Sequence, residues 1–273
     1  MPEGPETKRA ADEVAKAIVQ QPIVSIFFAF DHLKSYEKTL AVEQIVSVRS
    51  HGKALLIRFG NNLSIYSHNQ LYGKWYITRS QIYPTTNRQL RLAIHTAKKS
   101  ALLYSASDIA VLNDDEVAGH PFLKNLGVDV LDDSTAVETV RSRFLDKQFA
   151  RRGLTGLLLD QHFLCGLGNY LRSEILFVAQ VHPSLRPVDC SAQQIERLAE
   201  AAIAISQQSY LTKGVTNNLE VAAKLKQQGF SRRDYRHYVF NREGKACFLC
   251  GSEIVKAIAS GRRIYSCPHC QAL

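Results

Sequence analysis

Pro2 follows the initiator methionine in Met1-Pro2-Glu3-Gly4-Pro5-Glu6. Once that methionine is removed, the proline nitrogen is a free secondary amine, a nucleophile carried on the chain's own terminus. Such an amine adds to an aldehydic carbon or a sugar C1′ and yields an iminium that cannot lose its charge through an N–H proton, so it acts as an electron sink. A free α-amino group titrates near ~8, which leaves a substantial uncharged fraction at neutral pH without the desolvation a lysine needs. Glu3, tethered to this nucleophile, is the candidate acid for protonating a departing oxygen. Plainer readings exist for both residues. Pro2 could simply follow a processed methionine while Pro5 starts a helix, and Glu3 could be a helix N-terminal carboxylate facing the dipole.

Cys247-Phe248-Leu249-Cys250 and Cys267-Pro268-His269-Cys270, with sixteen residues between the pairs, match two knuckles presenting four thiolates to one tetrahedral zinc. Four soft ligands leave no open coordination position, so the zinc is expected to be structural and to hold a terminal hairpin together. His269 is expected to be exposed, and Cys165 and Cys190 to be isolated buried thiols. Between the knuckles, Gly261 permits a tight turn in Ser260-Gly261-Arg262-Arg263, and a guanidinium on a stapled turn is a well-oriented phosphate clamp. A solvated hairpin tip is the alternative. In Gln161 to Arg172, Gly166 and Gly168 allow positive φ and close backbone approach ahead of an apolar helix. The N–H groups at that helix start, with the Asn169 side chain, would suit a phosphate. An ordinary helix corner would use the same residues.

The elements that must position these groups change character along the 273 residues. Helical spacing runs from Pro5 to about Gln20 through Ala10, Ala11, Val14, Ala17 and Ile18. Short β-rich runs follow at 23–30, 45–48, 54–59, 63–66, 75–78, 90–96 and 101–104, which predicts a sandwich. After a linker at 127–133 the pattern turns helical, with Ser134 and Ser191 as expected N-caps. Lys and Arg outnumber Asp and Glu by 34 to 25, so the net charge of +9 favours a polyanionic partner. No stretch approaches the ~20 apolar residues of a bilayer span and no signal-peptide pattern opens the chain, which points to a cytoplasmic protein with no membrane partner.

Taken together, the N-terminal Pro-Glu, the glycine-rich helical turn and the C-terminal four-cysteine finger resemble the formamidopyrimidine-DNA glycosylase and endonuclease VIII family over essentially the whole chain. The resemblance implies an α+β multidomain fold: a β-sandwich domain with flanking helices at 1–127, a helix-two-turn-helix domain at 128–230, and a zinc finger at 231–273. Gly52-Lys53-Ala54 matches the segment with the family's essential lysine. Ser67 to Trp75 is similar to the endonuclease VIII branch, in which Gln70, Leu71 and Tyr72 would fill the gap left by an extruded base. Leu103 to Ile109 lacks the arginine and phenylalanine wedge of the formamidopyrimidine branch. Asn125 stands where the family often has a DNA-contacting arginine, with Lys124 beside it. Arg262, rather than Arg263, matches the phosphate-binding arginine, while Glu6 and Glu174 sit in motifs that orient the site. The implied activity is a DNA glycosylase and abasic-site lyase acting on oxidised pyrimidines in duplex DNA. It would work as a monomer, through a Schiff base at Pro2 and successive β- and δ-elimination, with one structural zinc and no other cofactor. The alternatives are a purine-directed member of the same family and a noncatalytic zinc-ribbon protein that binds nucleic acid through its basic face.

Overall fold

The β-rich runs between Ile23 and Leu112 form eight strands in the structure, a computed structural model that describes residues 2–273. Strands β1 (Ile23–Phe28), β6 (Leu90–Thr96), β7 (Lys99–Tyr104) and β5 (Lys74–Arg79) make one antiparallel sheet in that order. Strands β2 (Ile45–His51), β3 (Ala54–Phe59), β4 (Ser64–His68) and β8 (Asp108–Leu112) make a second. Alternation puts Ile26, Phe28, Leu92 and Ile94 of the first sheet in one core with Leu55, Ile57, Phe59 and Ile65 of the second. Ala11, Val14 and Ile18 from helix α1 (Gly4–Ile18) complete that core. The other face of β3 is also covered, because Ala54 and Leu56 pack with Tyr66 under Phe122 and Leu123. Burial on both faces explains why β3 reads as a continuous apolar run.

The expected sandwich is therefore present, with one strand more than the sequence suggests. β8 has only five residues and follows the polar Ser105-Ala106-Ser107; its alternation becomes meaningful once β4 supplies the ladder and Ile109 and Val111 reach the core. Helices α2 (Tyr36–Ala41) and α3 (Asp114–Gly119) are short additions to this unit. The described chain divides into two units, Glu6–Asn125 with Pro2, and Leu126–Leu273 with Glu3–Pro5.

In the second unit, β9 (Val128–Asp129) pairs in parallel with β10 (Leu164–Cys165). Around them stand α4 (Val137–Leu145), α5 (Leu154–Leu157), α6 (Asn169–Val178), α7 (Ala192–Leu211), α8 (Leu219–Gln227) and α9 (Arg232–Tyr235). The chain finishes with the hairpin of β11 (Val255–Ala259) and β12 (Arg262–Ser266). Ser191 caps α7 as expected, in a reciprocal capping box with Gln194. Ser134 does not cap α4. Its side chain and amide bond Asp132 in a local turn, and Ala136 occupies the N-cap position without a side-chain bond. Cys165 is buried as expected, but Cys190 is only half-buried and donates to the Arg186 carbonyl. Among the described residues no helix is long and apolar enough to cross a membrane.

Helix α6 is the axis of this unit. Every residue from Tyr170 to Phe177 is buried, including Arg172, Ser173 and Glu174. Leu171, Ile175 and Leu176 pack with Phe144, Phe163, Leu198 and Ala202, while Phe177 packs with Val239, Ile254 and Tyr265. Glu174 accepts from the amides of Tyr238, Val239 and Phe240 at 2.8, 2.9 and 2.9 Å and from the Thr216 hydroxyl at 2.5 Å. Burial pushes the Glu174 carboxyl above the usual range, and those four donors oppose the shift. Because Thr216 gives its proton to Glu174, its oxygen accepts from His237 Nδ1 at 2.8 Å, which fixes the imidazole as the Nδ1–H tautomer.

Burial, followed by the charges of Arg236 and Arg232, brings His237 down to about 3. The unfolded chain takes up a proton near 6.5 that the folded chain refuses until about 3, so this group favours folding above that window and the benefit fades as pH falls through it. The unfolding free energy of the wild-type chain should therefore drop relative to His237→Gln by about 2 kcal/mol between pH 7 and 5. Urea titrations at the two pH values measure this, and a constant gap between the proteins would contradict it.

Candidate active site

The start of α6 is closed by a residue far away in sequence. Glu3 is 3% exposed, and its Oε1 and Oε2 accept from the amides of Tyr170 at 2.9 Å and Leu171 at 3.2 Å. These are two of the donors that a helix start leaves without an intrahelical partner, and the dipole there favours a carboxylate. The expectation that these N–H groups serve a phosphate is thus corrected: Glu3 occupies them. The alternative reading of Glu3 as a dipole-facing carboxylate also holds, but on α6 rather than on the helix that Glu3 precedes.

The two glycines serve different purposes. Gly166 has φ 85, and its carbonyl accepts from the Gly4 amide at 2.7 Å, which anchors the entry to α1. Gly168 is extended, with φ −146, so conformational freedom is not its reason. A Cβ there would lie 2.4 Å from Glu3 Cδ and 2.5 Å from Oε1, so the missing side chain is the space the carboxylate fills. Gln161, to which the sequence reading gave no role, braces this turn. Its Oε1 accepts from the Gly166 amide and its Nε2 donates to the carbonyls of Leu159 and Leu167, each at 3.0 Å.

On the same helix start, Asn169 is half-buried and its Oδ1 accepts from Arg172 Nη2 at 2.8 Å. That bond settles the amide's orientation and turns Nδ2 away from the guanidinium as a donor. Arg172 is fully buried, and burial, then the Arg262 charge, lowers it to about 10 against the opposing pull of Glu3. It remains a cation at neutral pH. Arg262 and Arg263 are exposed just after a two-residue loop in which Ser260 and Gly261 have φ 52 and 70, as a tight hairpin turn of the I′ type requires. The structure thus brings Glu3, Asn169, Arg172 and Arg262 into one neighbourhood of the second unit.

A separate group forms in the first unit. Lys53 lies in the β2–β3 turn beside Gly52, whose φ is 58, and it is only 6% exposed, so it is not the solvated lysine a strand start usually carries. Burial lowers the His68 pKa, the Lys53 charge adds to this, and Asp108 opposes it. Neutral His68 can then accept the Gln70 amide on Nδ1, at 3.1 Å. Gln70 has φ 47, its Oε1 accepts from the Ser107 hydroxyl at 2.7 Å, and Gly73 closes the turn by donating to the Asn69 carbonyl at 2.7 Å. Arg88 donates to the Tyr72 carbonyl. The backbone of the tip is pinned while Leu71 and Tyr72 stand 63% and 69% exposed. Leu71 and Tyr72 therefore present apolar surface to solvent from a fixed turn. Asn125 and Lys124 are both exposed at the end of this unit.

The four cysteines converge as expected. The Sγ atoms of Cys247, Cys250, Cys267 and Cys270 all lie within 4.8 Å of one another, with 3.9 Å between Cys247 and Cys270 and 3.4 Å between Cys250 and Cys267. A tetrahedron with ~2.3 Å zinc–sulfur bonds needs edges of ~3.8 Å, so the cluster fits that ion. The amides of Leu249 and Cys270 point at the Cys247 and Cys267 sulfurs, each at 3.4 Å, and so stabilise thiolate charge. His269 is exposed and stands outside the set.

Gly168→Ala tests the Glu3 seat. The added methyl must displace the carboxylate or the helix start, at a cost of about 1–3 kcal/mol. Gly153→Ala is the control, since a Cβ there meets nothing within 4 Å. Denaturant melts should show the loss for Gly168→Ala alone; equal stability of the two variants would contradict the packing described.

Two domain models match the chain: the formamidopyrimidine-DNA glycosylase N-terminal domain over residues 1–107 and the formamidopyrimidine-DNA glycosylase H2TH domain over residues 126–220. Endonuclease 8 of Enterobacter sp. (strain 638) is 44% identical over 271 residues, covering 99% of this chain and 100% of that protein. Endonuclease 8 of Klebsiella pneumoniae is 42% identical with the same coverage. Among solved structures, Lactococcus lactis formamidopyrimidine-DNA glycosylase bound non-covalently to DNA with an AP site has a TM-score of 0.79 at 22% identity, covering 99% of this chain and 100% of that one. MutM in complex with carbocyclic 8-oxo-G containing DNA gives 0.80 at 23%, with full coverage of both chains. At that identity the structural likeness speaks for the fold, whereas the full-length relatives speak for descent. By these matches the chain belongs to the formamidopyrimidine-DNA glycosylase and endonuclease VIII family.

Proposed function

We propose that this chain is a bifunctional DNA glycosylase and abasic-site lyase of base excision repair, directed at oxidised pyrimidines of the thymine-glycol type. The observation that carries the reading is the seat of Glu3 on the α6 N-terminus, which fixes the residue next to Pro2 in a chain 44% identical to Endonuclease 8 over its whole length. The target sits inside the base stack, so the damaged nucleotide is extruded, at a cost of about a few kcal/mol that is lowest for damaged bases. Leu71 and Tyr72, with Gln70, are suited to the vacated space because their apolar surface gains nothing from solvent. Asn169 and Arg262 hold flanking phosphates, and Asn125 or Lys124 adds a further contact.

With Met1 removed, the Pro2 nitrogen bonds to C1′ and the proton it sheds passes through the Glu3 carboxylate to the ring oxygen; the ring opens, the base leaves with its bonding electrons and takes a proton from solvent, and an iminium remains. Loss of a C2′ proton, with Lys53 assisting the transfer, expels the 3′ phosphate. A second elimination, in which a C4′ proton is lost with Arg262 assisting, expels the 5′ phosphate; water then hydrolyses the iminium, freeing the sugar remnant from Pro2 and leaving a one-nucleotide gap with phosphate on both ends. Glu6 and Glu174 orient the site without reacting. Cys247, Cys250, Cys267 and Cys270 would hold one structural zinc, which keeps the Arg262 hairpin folded. The enzyme acts in the cytoplasm as a monomer, in three parts at 1–127, 128–230 and 231–273.

Single-turnover assays on matched duplexes test the reading. Thymine glycol should be released at least about tenfold faster than 8-oxoguanine, a difference of about 1.4 kcal/mol in barrier. The strand should end in phosphates on both sides of the gap. Faster release of 8-oxoguanine would move the chain to the purine-directed branch. Tight, salt-sensitive binding with no base release or strand cleavage would make it a noncatalytic binder.

A further inference from the structure

Arg172 has no role in the reaction outlined above, yet it is the largest fully buried side chain in the fold. Its Nη1 donates to the carbonyls of Thr155 at 2.8 Å and Ala259 at 3.3 Å, and its Nη2 to Asn169 Oδ1 at 2.8 Å and the Arg263 carbonyl at 3.1 Å. Each of these acceptors is neutral, and Nε is buried with no partner among the described residues. A guanidinium buried in this way is a poor source of stability, because apolar residues of similar volume generally serve a core as well or better. Its value lies in what the four bonds hold.

Two of those bonds end on Ala259 and Arg263, which flank the Ser260-Gly261 loop and the exposed Arg262. A third fixes Asn169 with Nδ2 directed away from the guanidinium. The fourth ties in Thr155, whose hydroxyl lies 3.4 Å from Ser260 Oγ at the hairpin loop. One planar, five-donor group therefore joins the helix start that carries Asn169 to both strands of the hairpin that carries Arg262, a task that a lysine's single ammonium cannot copy.

We propose that Arg172 is the positioning residue of a two-part phosphate clamp: it orients the Asn169 amide and locks the Arg262 hairpin onto α6, so that both groups meet one DNA phosphate together. The proposal rests on the reading of Asn169 and Arg262 as DNA contacts, and its test separates the two ideas. Affinity for a tetrahydrofuran-containing duplex is measured from low to moderate salt for the wild-type zinc-loaded protein, Asn169→Ala, Arg262→Ala, Arg172→Lys, Arg172→Gln and the double variant Arg172→Lys with Arg262→Ala. Zinc content and melting confirm the fold of each, and Arg172→Gln, which keeps a smaller neutral donor, serves if the lysine variant fails to fold.

Arg172→Lys should weaken binding about tenfold and reduce the slope of log K against log salt by about 1, the loss expected for one phosphate contact. The double variant should bind no more than about twofold worse than Arg262→Ala alone, because the two changes remove one interaction. The single-turnover rate of base release at saturating DNA, a step in which Arg262 takes no part, should change far less than the affinity, a split that general loosening of the fold would not give. If Arg262→Ala and Asn169→Ala weaken binding while Arg172→Lys and Arg172→Gln do not, or if the effects of Arg172→Lys and Arg262→Ala multiply, the positioning role is wrong. If neither Asn169→Ala nor Arg262→Ala affects binding, the clamp itself is wrong and the proposal fails with it.

Discussion

The second unit depends on a carboxylate placed at a helix start. Glu3 accepts the Tyr170 and Leu171 amides in the room left by Gly168, and the Gly4 amide answers the Gly166 carbonyl one step further along the chain. The Glu3 carboxylate meets backbone amides and the Gly4 amide meets a backbone carbonyl, so the segment is held by one side chain and one main-chain bond, in room that a side chain at 168 would fill. In the proposed reaction Pro2 is a nucleophile on a chain terminus, a place where groups are otherwise among the most mobile in a protein. Bonding the next residue to a buried helix removes most of that freedom, and orientation of a reacting group is one of the larger contributions a fold can make to a rate.

Helix α6 connects this anchor to the rest of its unit by carrying polar side chains through a fully buried segment. Arg172 reaches the cysteine-bearing hairpin, Glu174 gathers the amides of Tyr238 to Phe240, and Ser173 accepts from the Tyr265 amide at 3.4 Å. An apolar helix at this place would pack at least as well. The polar one sets register, because each buried donor or acceptor has one satisfying arrangement and a high cost in any other. The four-cysteine cluster and α6 therefore meet the same hairpin from opposite ends, one through sulfurs beyond the strands and the other through carbonyls beside the turn.

Local chemistry was the most legible part of the sequence. The knuckle spacing announced the cysteine cluster, Gly261 after Ser260 announced the turn before Arg262, and short β-rich runs announced seven of the eight strands. What stayed hidden depended on partners distant along the chain. Glu3 lies 167 residues from Tyr170, so nothing in its hexapeptide says whose helix it caps. Nothing in the sequence around Arg172 marks it as buried under the hairpin carbonyls, and nothing around Lys53 says that it ends only 6% exposed. Ser134 shows the converse limit, since a good N-cap residue near a helix start took a nearer aspartate as its partner. Resemblance to a family supplied roles for Lys53, Gln70, Leu71 and Tyr72 that periodicity could not, whereas the braces around them, His68, Arg88 and Ser107, emerged only from the fold.

The central claim is that the terminal imino nitrogen is the atom that bonds to deoxyribose. Borohydride reduction during turnover on a thymine-glycol duplex, followed by proteolysis and mass spectrometry of the crosslinked peptide, tests it directly. One adduct is expected, on the N-terminal peptide that begins at Pro2, with its mass increase on the proline nitrogen. An adduct on Lys53 or any other side chain, or no adduct on a substrate that is nevertheless cleaved, would contradict it.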